Sequence, residues 1–306
     1  MTEAVRVRVP ATSANLGPAF DCAGLALSRH DVLEFVVRPS GLEVSVSGVG
    51  AGELPTDESH LVVRAVRAAC DHLGWSPAGL RVAAENAIPQ GRGMGSSAAA
   101  VVAGVVGAWA LCPDVDGIDE EAVLRLTTEL EGHPDNVAPC LLGGATLSWT
   151  TPAGAGAARI RVAPEITPVL FVPAGTLSTH VARGLLPDVV PHADAAFNAA
   201  RAALLVHALS ADPALLLEAT GDRLHQSQRG TAMPESIDLV GRLRAAGHAA
   251  VVSGAGPSVL VLAVPPDTTG EGALQRFTPP GWTMLGLEVD ERGASVLTEG
   301  TSVSSR

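Results

Sequence analysis

The stretch that decides the fold reads IPQGRGMGSSAAA and occupies residues 88–100. Its glycines stand at alternate positions and are Gly91, Gly93 and Gly95. A predicted strand at residues 80–85 precedes this glycine-rich loop, and an apolar predicted helix at residues 96–111 follows it. Glycine lacks a Cβ atom, so the loop can adopt positive φ angles and let a ligand approach the backbone closely. Because free N–H groups and the positive dipole end of a helix favour phosphate oxygens, the stretch predicts a phosphate-binding turn.

Two common nucleotide-binding patterns are excluded. A Walker A loop needs a lysine after its last glycine, whereas this chain contains no lysine and all 20 of its basic residues are arginine. The dinucleotide fingerprint needs GxGxxG and an acidic residue on a second βα unit, which this context does not supply. A tight turn into a buried helix, without any ligand, stays open as the alternative interpretation of the loop alone.

The rest of the first half alternates strand and helix patterns. Strands are predicted at residues 5–9, 32–37, 42–47 and 145–150. Helices are predicted from an N-cap at Ser59 to Leu73, and over residues 120–130 before the polar segment EGHPDN. The histidines without motif context are predicted to be solvated or structural, and they are His30, His60 and His72.

A composition break divides the chain near its middle. The segment TPAGAGAA, residues 151–158, is rich in glycine, alanine and proline and predicts a boundary between domains 1–155 and 156–306. Beyond it, helices are predicted at residues 193–209 and 235–246, and strands at residues 169–172, 259–264 and 284–289. Since both halves mix strands and helices, the sequence predicts two α+β domains.

Composition and charge exclude several classes of partner. Hydrophobic residues make up 47% of the 306 residues, enough for a large core, and the net charge of −12 argues against nucleic acid or an anionic membrane surface. The N-terminus has no apolar stretch of signal-peptide length, and the longest nearly uncharged run, residues 98–111, is too short to cross a bilayer. The cysteines form no CxxC pair, which favours reduced thiols and a cytoplasmic location, and they are Cys22, Cys70, Cys112 and Cys140.

Three separated segments resemble the motifs of one family of small-molecule kinases. PATSANLGPAFDCAGLAL at residues 10–27, the glycine-rich loop at residues 88–99 and VVSGAGPSVLVL at residues 251–262 are similar to the three motifs of the GHMP kinases and follow their order. The resemblance implies an N-terminal domain like domain 2 of ribosomal protein S5 and a ferredoxin-like C-terminal domain. It also implies ATP-dependent phosphorylation of an alcohol on a small molecule.

The resemblance implies a site for ATP and Mg²⁺ on this loop. The residues that it implies around the nucleotide are Pro89, Gly91, Arg92, Gly93, Met94, Gly95, Ser96, Ser97 and Ala98. Glu131 resembles the family's Mg²⁺ ligand together with a hydroxyl of Ser96 or Ser97, since Mg²⁺ usually takes one or two protein ligands besides phosphates. Glu129, two residues away, stays an alternative for that ligand.

Two further segments resemble the branch of the family that phosphorylates L-homoserine. They are EGHPDNVAP at residues 131–139 and STHVARGLLP at residues 178–187, followed later by QSQRG. Homoserine carries a carboxylate, an ammonium and a primary hydroxyl, and the planar fork of arginine suits a carboxylate. The acceptor-binding residues that the resemblance implies are Asn15, Asp21, His133, Asp135, Thr179, Arg183, Arg229 and Gly256.

Phosphoryl transfer to this acceptor would yield O-phospho-L-homoserine, on the route to threonine. The reaction needs mainly positioning and charge neutralisation, for which the resemblance implies Asp135, Asn136, Glu131 and Asp21. A strong general base is not obligatory, and Asp135, Asp21 and direct proton loss to phosphate stay open.

Other functions on the same framework also stay open. They are a kinase that acts on mevalonate or a sugar, a non-catalytic homologue and a nucleotide-dependent decarboxylase. The glycines and serines of the loop, together with Glu131, argue against a non-catalytic homologue. The sequence leaves the oligomeric state undecided, with a homodimer among the alternatives.

Overall fold

The computed structural model describes residues 4–265 and 273–297, which form two sheets with helices packed against them. The strands in chain order are β1 (Ala4–Ala14), β2 (Ala23–Arg38), β3 (Gly41–Gly48), β4 (Gly79–Asn86), β5 (Ala145–Thr151), β6 (Gly154–Ile160), β7 (Thr167–Val172), β8 (Ala250–Val252), β9 (Val259–Ala263), β10 (Thr283–Gly286) and β11 (Ser295–Leu297). The helices are α1 (Leu61–Leu73), α2 (Ser96–Leu111), α3 (Glu120–Glu131), α4 (Val137–Leu142), α5 (Thr179–Gly184), α6 (His192–Ser210), α7 (Leu216–Ala219) and α8 (Pro234–Ala245).

The larger sheet has the strand order β11-β1-β2-β4-β3, and β5 and β6 extend it from β2. Its pairs are antiparallel except β3 and β4, which run parallel. Helix α2 is buried at Ala98 and Ala99 and from Val101 to Trp109, as its all-round apolar pattern predicts. Since α2 begins directly after the glycine-rich loop, its burial fixes that loop against the sheet.

The smaller sheet is antiparallel throughout, with the order β10-β7-β9-β8. One of its faces carries α8, whose buried Leu239 and Leu243 join Phe171 and Val261 in a separate apolar cluster. This four-stranded sheet with a helix across it fits the ferredoxin-like expectation, and the two-domain α+β class is confirmed.

The N-cap of α1 differs from the prediction. His60, not Ser59, occupies that position, and its Nδ1 accepts a hydrogen bond from the Val62 N–H at 3.2 Å. Ser59 donates instead to Asp57, from both its backbone N–H and its hydroxyl. His60 is buried and structural, since its ring caps the N-terminus of α1. Histidine is not among the preferred cap residues, so the sequence pattern does not reveal this role.

The composition break near the middle of the chain is not a linker. Residues 151–158 lie in the hairpin of β5 and β6, which belongs to the larger sheet and continues to Ile160. The small residues suit the hairpin because Trp149 packs where a side chain on Gly156 would stand. The division at residue 155 stays a prediction, and β11 returns the end of the chain to the larger sheet.

No helix in the described ranges is long and apolar enough to span a bilayer. The four cysteines are free thiols.

Candidate active site

A cavity of about 420 Å³ lies where the glycine-rich loop, the start of α1 and the segment around α5 meet. The loop and α2 contribute Gly91, Gly93, Met94, Gly95, Ser96 and Ser97 to its lining. More distant segments contribute Asn15, Glu131, His133, Asp135, Asn136, Thr179, Arg183 and Arg229. The cavity therefore gathers most of the residues that the sequence predicted for the site.

The glycine-rich loop adopts the positive φ angles that its glycines predict. These angles are 63° at Gly91, 67° at Gly93 and 68° at Gly95. A Cβ atom on Gly93 would overlap the carbonyl oxygen of Ser253, and one on Gly95 would overlap the hydroxyl of Thr12. Thr12 belongs to the first family-like segment and Ser253 to the third, so all three segments meet at this loop.

Glu131 ends α3 and faces the first turn of α2. The Ser97 hydroxyl donates a hydrogen bond to Glu131 Oε1 at 2.5 Å. Burial raises the pKa of the Glu131 carboxyl, while the hydrogen bond from Ser97 and the nearby His133 oppose that rise. Glu129 is exposed and lies outside the cavity lining. The pair of Ser97 and Glu131 thus presents two oxygen ligands of the kind that Mg²⁺ prefers.

The turn after β1 holds its side chains through a strained backbone. Asn15, Leu16 and Asp21 have φ angles of 71°, 45° and 57°, which residues other than glycine rarely adopt. Asn15 Oδ1 accepts a hydrogen bond from the Asp21 N–H at 2.9 Å, and Asn15 Nδ2 donates to the Gly254 carbonyl at 2.9 Å. Such strain costs about 1–3 kcal/mol per residue and persists where surrounding contacts enforce it, often at functional sites.

Two arginines from the second half of the chain lie over the ring of Phe20. The guanidinium carbons of Arg183 and Arg229 are 5.5 Å and 5.3 Å from the ring centroid. Arg183, on the short helix α5, donates to both carboxylate oxygens of Asp21 at 2.6 Å and 3.0 Å. The ring therefore holds two positive charges at one end of the cavity.

The surroundings of Arg229 differ from those of Arg183. Arg229 is only 1% exposed, and the hydrogen bonds of its guanidinium within the described residues go to His225 and the Gly254 carbonyl. Burial lowers the pKa of Arg229, and the charge of Arg183 adds to this effect. Arg229 is thus a buried cation that lines the cavity and has no carboxylate hydrogen-bonded to it in the described ranges.

A short chain of hydrogen bonds orients the side chains between these arginines and the loop. His133 Nδ1 and Asp135 Oδ1 are 2.7 Å apart, and Asn136 Nδ2 donates to the same oxygen at 3.4 Å. The Thr12 hydroxyl donates to Asn136 Oδ1 at 2.8 Å. Burial lowers the pKa of His133, but the hydrogen bond and charge of Asp135 outweigh it, so that pKa is raised. Asp135 is buried, and its carboxylate is therefore held in one orientation.

Some predicted site residues lie outside the cavity lining. Among them are Asp21, which pairs with the lining residue Arg183, and Gly256. Arg92 donates to the carbonyls of Pro173 and Ala174 at 2.9 Å and 2.6 Å and, with Pro89, borders a smaller depression. Ala98 is buried inside α2. The roles implied for Pro89, Arg92 and Ala98 at the nucleotide stay predictions.

Sequence reasoning missed the mainly apolar end of the cavity. Its lining residues are Leu33, Leu54, Pro55, His60, Leu61, Val62, Asn86 and Gln90, and the third family-like segment adds Gly254 and Ala255 beside the predicted Gly256. No short motif marks them, because they come from β2, β4, α1 and connecting loops that converge only in the fold. Asp31, which also lines the cavity, holds the entry to the loop by accepting from the N–H groups of Ala87 and Ile88 at 2.6 Å and 2.9 Å.

Family models match the two halves of the chain. The GHMP kinases N terminal domain matches residues 60–144, and the GHMP kinases C terminal domain matches residues 199–277. The chain is 55% identical to the homoserine kinase of Streptomyces avermitilis over 295 residues, which cover 96% of each chain. It is 52% identical to the homoserine kinase of Streptomyces coelicolor over 300 residues, which cover 98% of this chain and 96% of that one. The chain belongs to the GHMP kinase family, has its fold and is an ATP-dependent small-molecule kinase.

Solved structures agree with this assignment. The homoserine kinase of Cytophaga hutchinsonii superposes with a TM-score of 0.83 at 25% identity, covering 97% of this chain and 98% of that one. A putative homoserine kinase from Listeria monocytogenes gives a TM-score of 0.78 at 30% identity, covering 97% and 100%. Mevalonate diphosphate decarboxylase from Staphylococcus aureus, at 13% identity and a TM-score of 0.68 with 97% and 99% covered, shares the fold.

Proposed function

We propose that this kinase transfers the γ-phosphoryl group of ATP to the hydroxyl of L-homoserine and so forms O-phospho-L-homoserine for threonine biosynthesis. The observation that carries the proposal is the pair Arg183 and Arg229 over Phe20, beside Asp21, in the cavity that also contains the glycine-rich loop. The nearly full-length relatives that bear the name homoserine kinase support the same acceptor.

The charges at this end of the cavity match a free amino acid. Two guanidinium groups suit one carboxylate, since planar N–H forks bind carboxylate oxygens in pairs. Asp21 and the side-chain oxygen of Asn15 lie on the strained turn beside them and suit an ammonium. Mevalonate has no ammonium and a sugar has neither group, so neither would match both Asp21 and the two arginines as a free amino acid does.

The other end of the cavity suits ATP. The N–H groups of the loop and of the first turn of α2 would bind the phosphates, and Gly93 lets the loop pack against the Ser253 carbonyl, which a side chain would overlap. The apolar end, which includes Leu54, Pro55 and Leu61, would receive the planar base. In this arrangement the γ-phosphate points from the loop towards the acceptor pocket.

We further propose that Glu131 and the hydroxyl of Ser97, with Ser96 next to it, would hold Mg²⁺. Their oxygens fit a hard cation, and a cation would favour the ionised form of the buried Glu131 carboxyl. When bound, Mg²⁺ neutralises charge on the phosphate oxygens. The described ranges contain no group of three His, Cys, Asp or Glu side chains that could hold a metal ion, so the protein would supply few ligands and the nucleotide the rest.

The acceptor hydroxyl would lie near Asp135 and Asn136. Asp135 is held by His133, and Asn136 is held by Thr12, so both can orient a hydroxyl without moving. Asp21 forms an ion pair with Arg183 and is therefore better suited to binding the acceptor than to receiving its proton. Asp135 is therefore the stronger candidate for receiving the proton, while direct transfer to phosphate stays open.

ADP release from Mg-ATP tests the proposal, measured separately with L-homoserine, with mevalonate, with galactose and without acceptor. We expect rapid ADP release only in the reaction that contains L-homoserine as the acceptor. The product of that reaction should give a new phosphomonoester signal in its ³¹P spectrum. Turnover of mevalonate or galactose but not of L-homoserine would contradict the acceptor and leave the kinase class intact.

A cytoplasmic location and a homodimer stay proposals as well. The four free cysteines support a reducing compartment. Sedimentation analysis of the purified chain measures the oligomeric state directly.

A further inference from the structure

His225 lies beside the acceptor pocket, and no motif or family resemblance pointed to it. It is 0% exposed and sits in the turn that leads to the 3₁₀ segment Ser227–Arg229. Asp222 fixes this turn by accepting from the N–H groups of Leu224 at 3.0 Å, His225 at 3.2 Å and Gln226 at 2.9 Å. The imidazole therefore has a defined orientation.

The two ring nitrogens of His225 contact opposite sides of the site. Nε2 lies 2.7 Å from the carbonyl oxygen of Gly17, and a carbonyl can only accept, so Nε2 carries the proton. In a neutral imidazole Nδ1 then has a free lone pair. Nδ1 lies 3.3 Å from Nη1 of Arg229, whose guanidinium can only donate. The neutral Nε2–H tautomer is thus the one that satisfies both neighbours.

We propose that His225 is a positioning residue for the acceptor carboxylate, because its neutral ring orients Arg229 and leaves the charge of that arginine available to the ligand. The inference rests on the proposed function. Arg183 has an internal carboxylate partner in Asp21, whereas the hydrogen bonds of the Arg229 guanidinium within the described residues go to uncharged acceptors on His225 and Gly254. A carboxylate in place of the imidazole would compete with the carboxylate of the substrate for the same guanidinium.

The surroundings of Arg229 suit an anionic ligand. This arginine is almost fully buried, it lines the cavity, and its Nε has no hydrogen-bond partner within the described residues. Asp21, Asp222 and Asp135 are close enough to oppose the lowering of its pKa, but in the described ranges none is hydrogen-bonded to it. A buried charge without a hydrogen-bonded counterion is costly, and a bound ligand can supply one. The carboxylate of an α-amino acid would supply that counterion, and His225 keeps the guanidinium oriented before the ligand arrives.

The charged groups around the imidazole make its protonation unfavourable. Burial lowers the pKa of His225 below its ordinary 6.5, and Arg229 adds to this, while Asp222, the Gly17 carbonyl and Asp21 oppose it. Asp222 Oδ1 is 3.8 Å from Nε2, and Phe20 stacks on the ring at a centroid distance of 5.0 Å. A proton on Nδ1 would face the guanidinium, so acidification should weaken binding of the acceptor carboxylate.

Two substitutions separate positioning from a structural role. His225→Phe keeps an aromatic ring against Phe20 and loses both hydrogen bonds. We expect its KM for L-homoserine to rise by roughly 10-fold or more, the scale of losing one hydrogen bond to a charged group, while its KM for ATP stays close to that of the unmodified enzyme. His225→Gln has an amide that can donate to Gly17 and accept from Arg229, so it should restore most of the affinity at neutral pH.

The pH profile and a second ligand complete the test. In the unmodified enzyme the KM for L-homoserine should rise as pH falls through the pKa of His225, which lies below 6.5, and this rise should be smaller in His225→Gln, whose amide does not titrate. Homoserinol, which lacks the carboxylate, should compete with L-homoserine equally well in the unmodified enzyme and in His225→Phe.

An unchanged KM in folded His225→Phe, or equal losses for homoserine and homoserinol, would overturn the inference. If His225→Phe does not fold, His225→Gln still tests the inference. A rise of its KM for L-homoserine at low pH as large as that of the unmodified enzyme would overturn it. Absence of homoserine turnover by the unmodified enzyme would instead contradict the proposed function.

Discussion

Asp21 and Arg183 lie 162 positions apart in the chain and form a bidentate ion pair, with Arg183 Nη2 2.6 Å from Asp21 Oδ1 and Nη1 3.0 Å from Oδ2. Their side chains are 36% and 34% exposed, so water screens the pair and its net contribution is small. A zwitterion can therefore replace it at low cost, with its ammonium at Asp21 and its carboxylate at Arg183. In the free pocket the carboxylate of Asp21 and the guanidinium of Arg183 therefore pair with each other. When the substrate binds, they would pair with its ammonium and its carboxylate instead.

This pair predicts different defects for the two aspartates of the site. Asp21→Asn removes the charge that the ammonium needs, so the KM for L-homoserine should rise with little change in kcat. Asp135→Asn should mainly lower kcat, by less than the ~10²–10⁴-fold expected for a full general base, because phosphate can accept the proton. Steady-state kinetics in both substrates measure both effects. A loss of kcat in Asp21→Asn that matched the full range would transfer the role of base to that residue.

The arginines should not tolerate lysine. Arg183→Lys and Arg229→Lys keep the charge but lose the planar fork, so each should raise the KM for L-homoserine by about 10- to 150-fold, the equivalent of ~1.5–3 kcal/mol. The double variant should fall short of the sum of the two effects, because both arginines serve one carboxylate. Arg242→Lys, at an exposed pair with Asp238, is the control and should leave the kinetics unchanged. A rise in the KM for ATP of the same size would contradict the assignment.

The glycine-rich loop should not accept a side chain at its centre. Gly93→Val should lose ATP affinity, because its Cβ would overlap the Ser253 carbonyl and displace the loop that binds phosphate. Gly117→Ala is a matched control, since Gly117 also has a positive φ, 85°, and nothing lies within 4 Å of the added atom. Calorimetric titration with ATP compares the two variants. The control should keep ATP affinity and lose only about 1–2 kcal/mol of unfolding free energy, because alanine is strained at this positive φ.

The two glutamates near the end of α3 should separate in their Mg²⁺ dependence. Glu131→Gln keeps the shape and removes the charge beside Ser97, so turnover should fall by about 10²-fold or more and should need more Mg²⁺. Glu129→Gln should be nearly silent because Glu129 is exposed and outside the cavity lining. A magnesium titration of kcat distinguishes them, and the reverse ranking would assign the ligand to Glu129.

Asp290 should make the fold sensitive to acid. Burial opposes ionisation of its carboxyl, but hydrogen bonds from His30 and from the N–H groups of Gly293 and Arg292 lower its pKa from 3.8 to about 2. A lowered pKa stabilises the folded state above pH 3.8, and that stabilisation is lost as pH falls towards 2. Asp290→Asn should therefore cost about 2 kcal/mol of unfolding free energy at neutral pH.

Urea unfolding as a function of pH tests this expectation. The curve of Asp290→Asn should be flatter than that of the unmodified chain over the acid range. Asp238→Asn, at an exposed ion pair with Arg242, is the control and should follow the unmodified curve. If the unfolding free energies of Asp290→Asn and of the unmodified chain fell equally steeply with acid, the Asp290 carboxyl would not be the titrating group.

Much of the local structure was predictable because short-range physics determines it. The alternating glycines of the loop require positive φ angles, and the apolar pattern after them requires a buried helix, which α2 is. The same reasoning missed His60 as the N-cap of α1 and did not predict strand β6. His60 caps the helix through a contact only two residues away, with an imidazole that is not a preferred capping side chain, and the glycine- and alanine-rich β6 lacks the pattern of a strand.

The sequence by itself indicated most of the longer helices and strands, and its resemblance to a kinase family predicted a phosphate-binding loop and the chemistry of the acceptor. Only the tertiary structure decided that Asp21 pairs with Arg183, that Glu131 rather than Glu129 faces Ser97, and that His225 contacts Arg229. Backbone angles and hydrophobic periodicity are encoded by neighbours in the chain. The partner of a side chain is chosen instead by how helices and sheets pack, and that packing brings together residues with no relation in sequence.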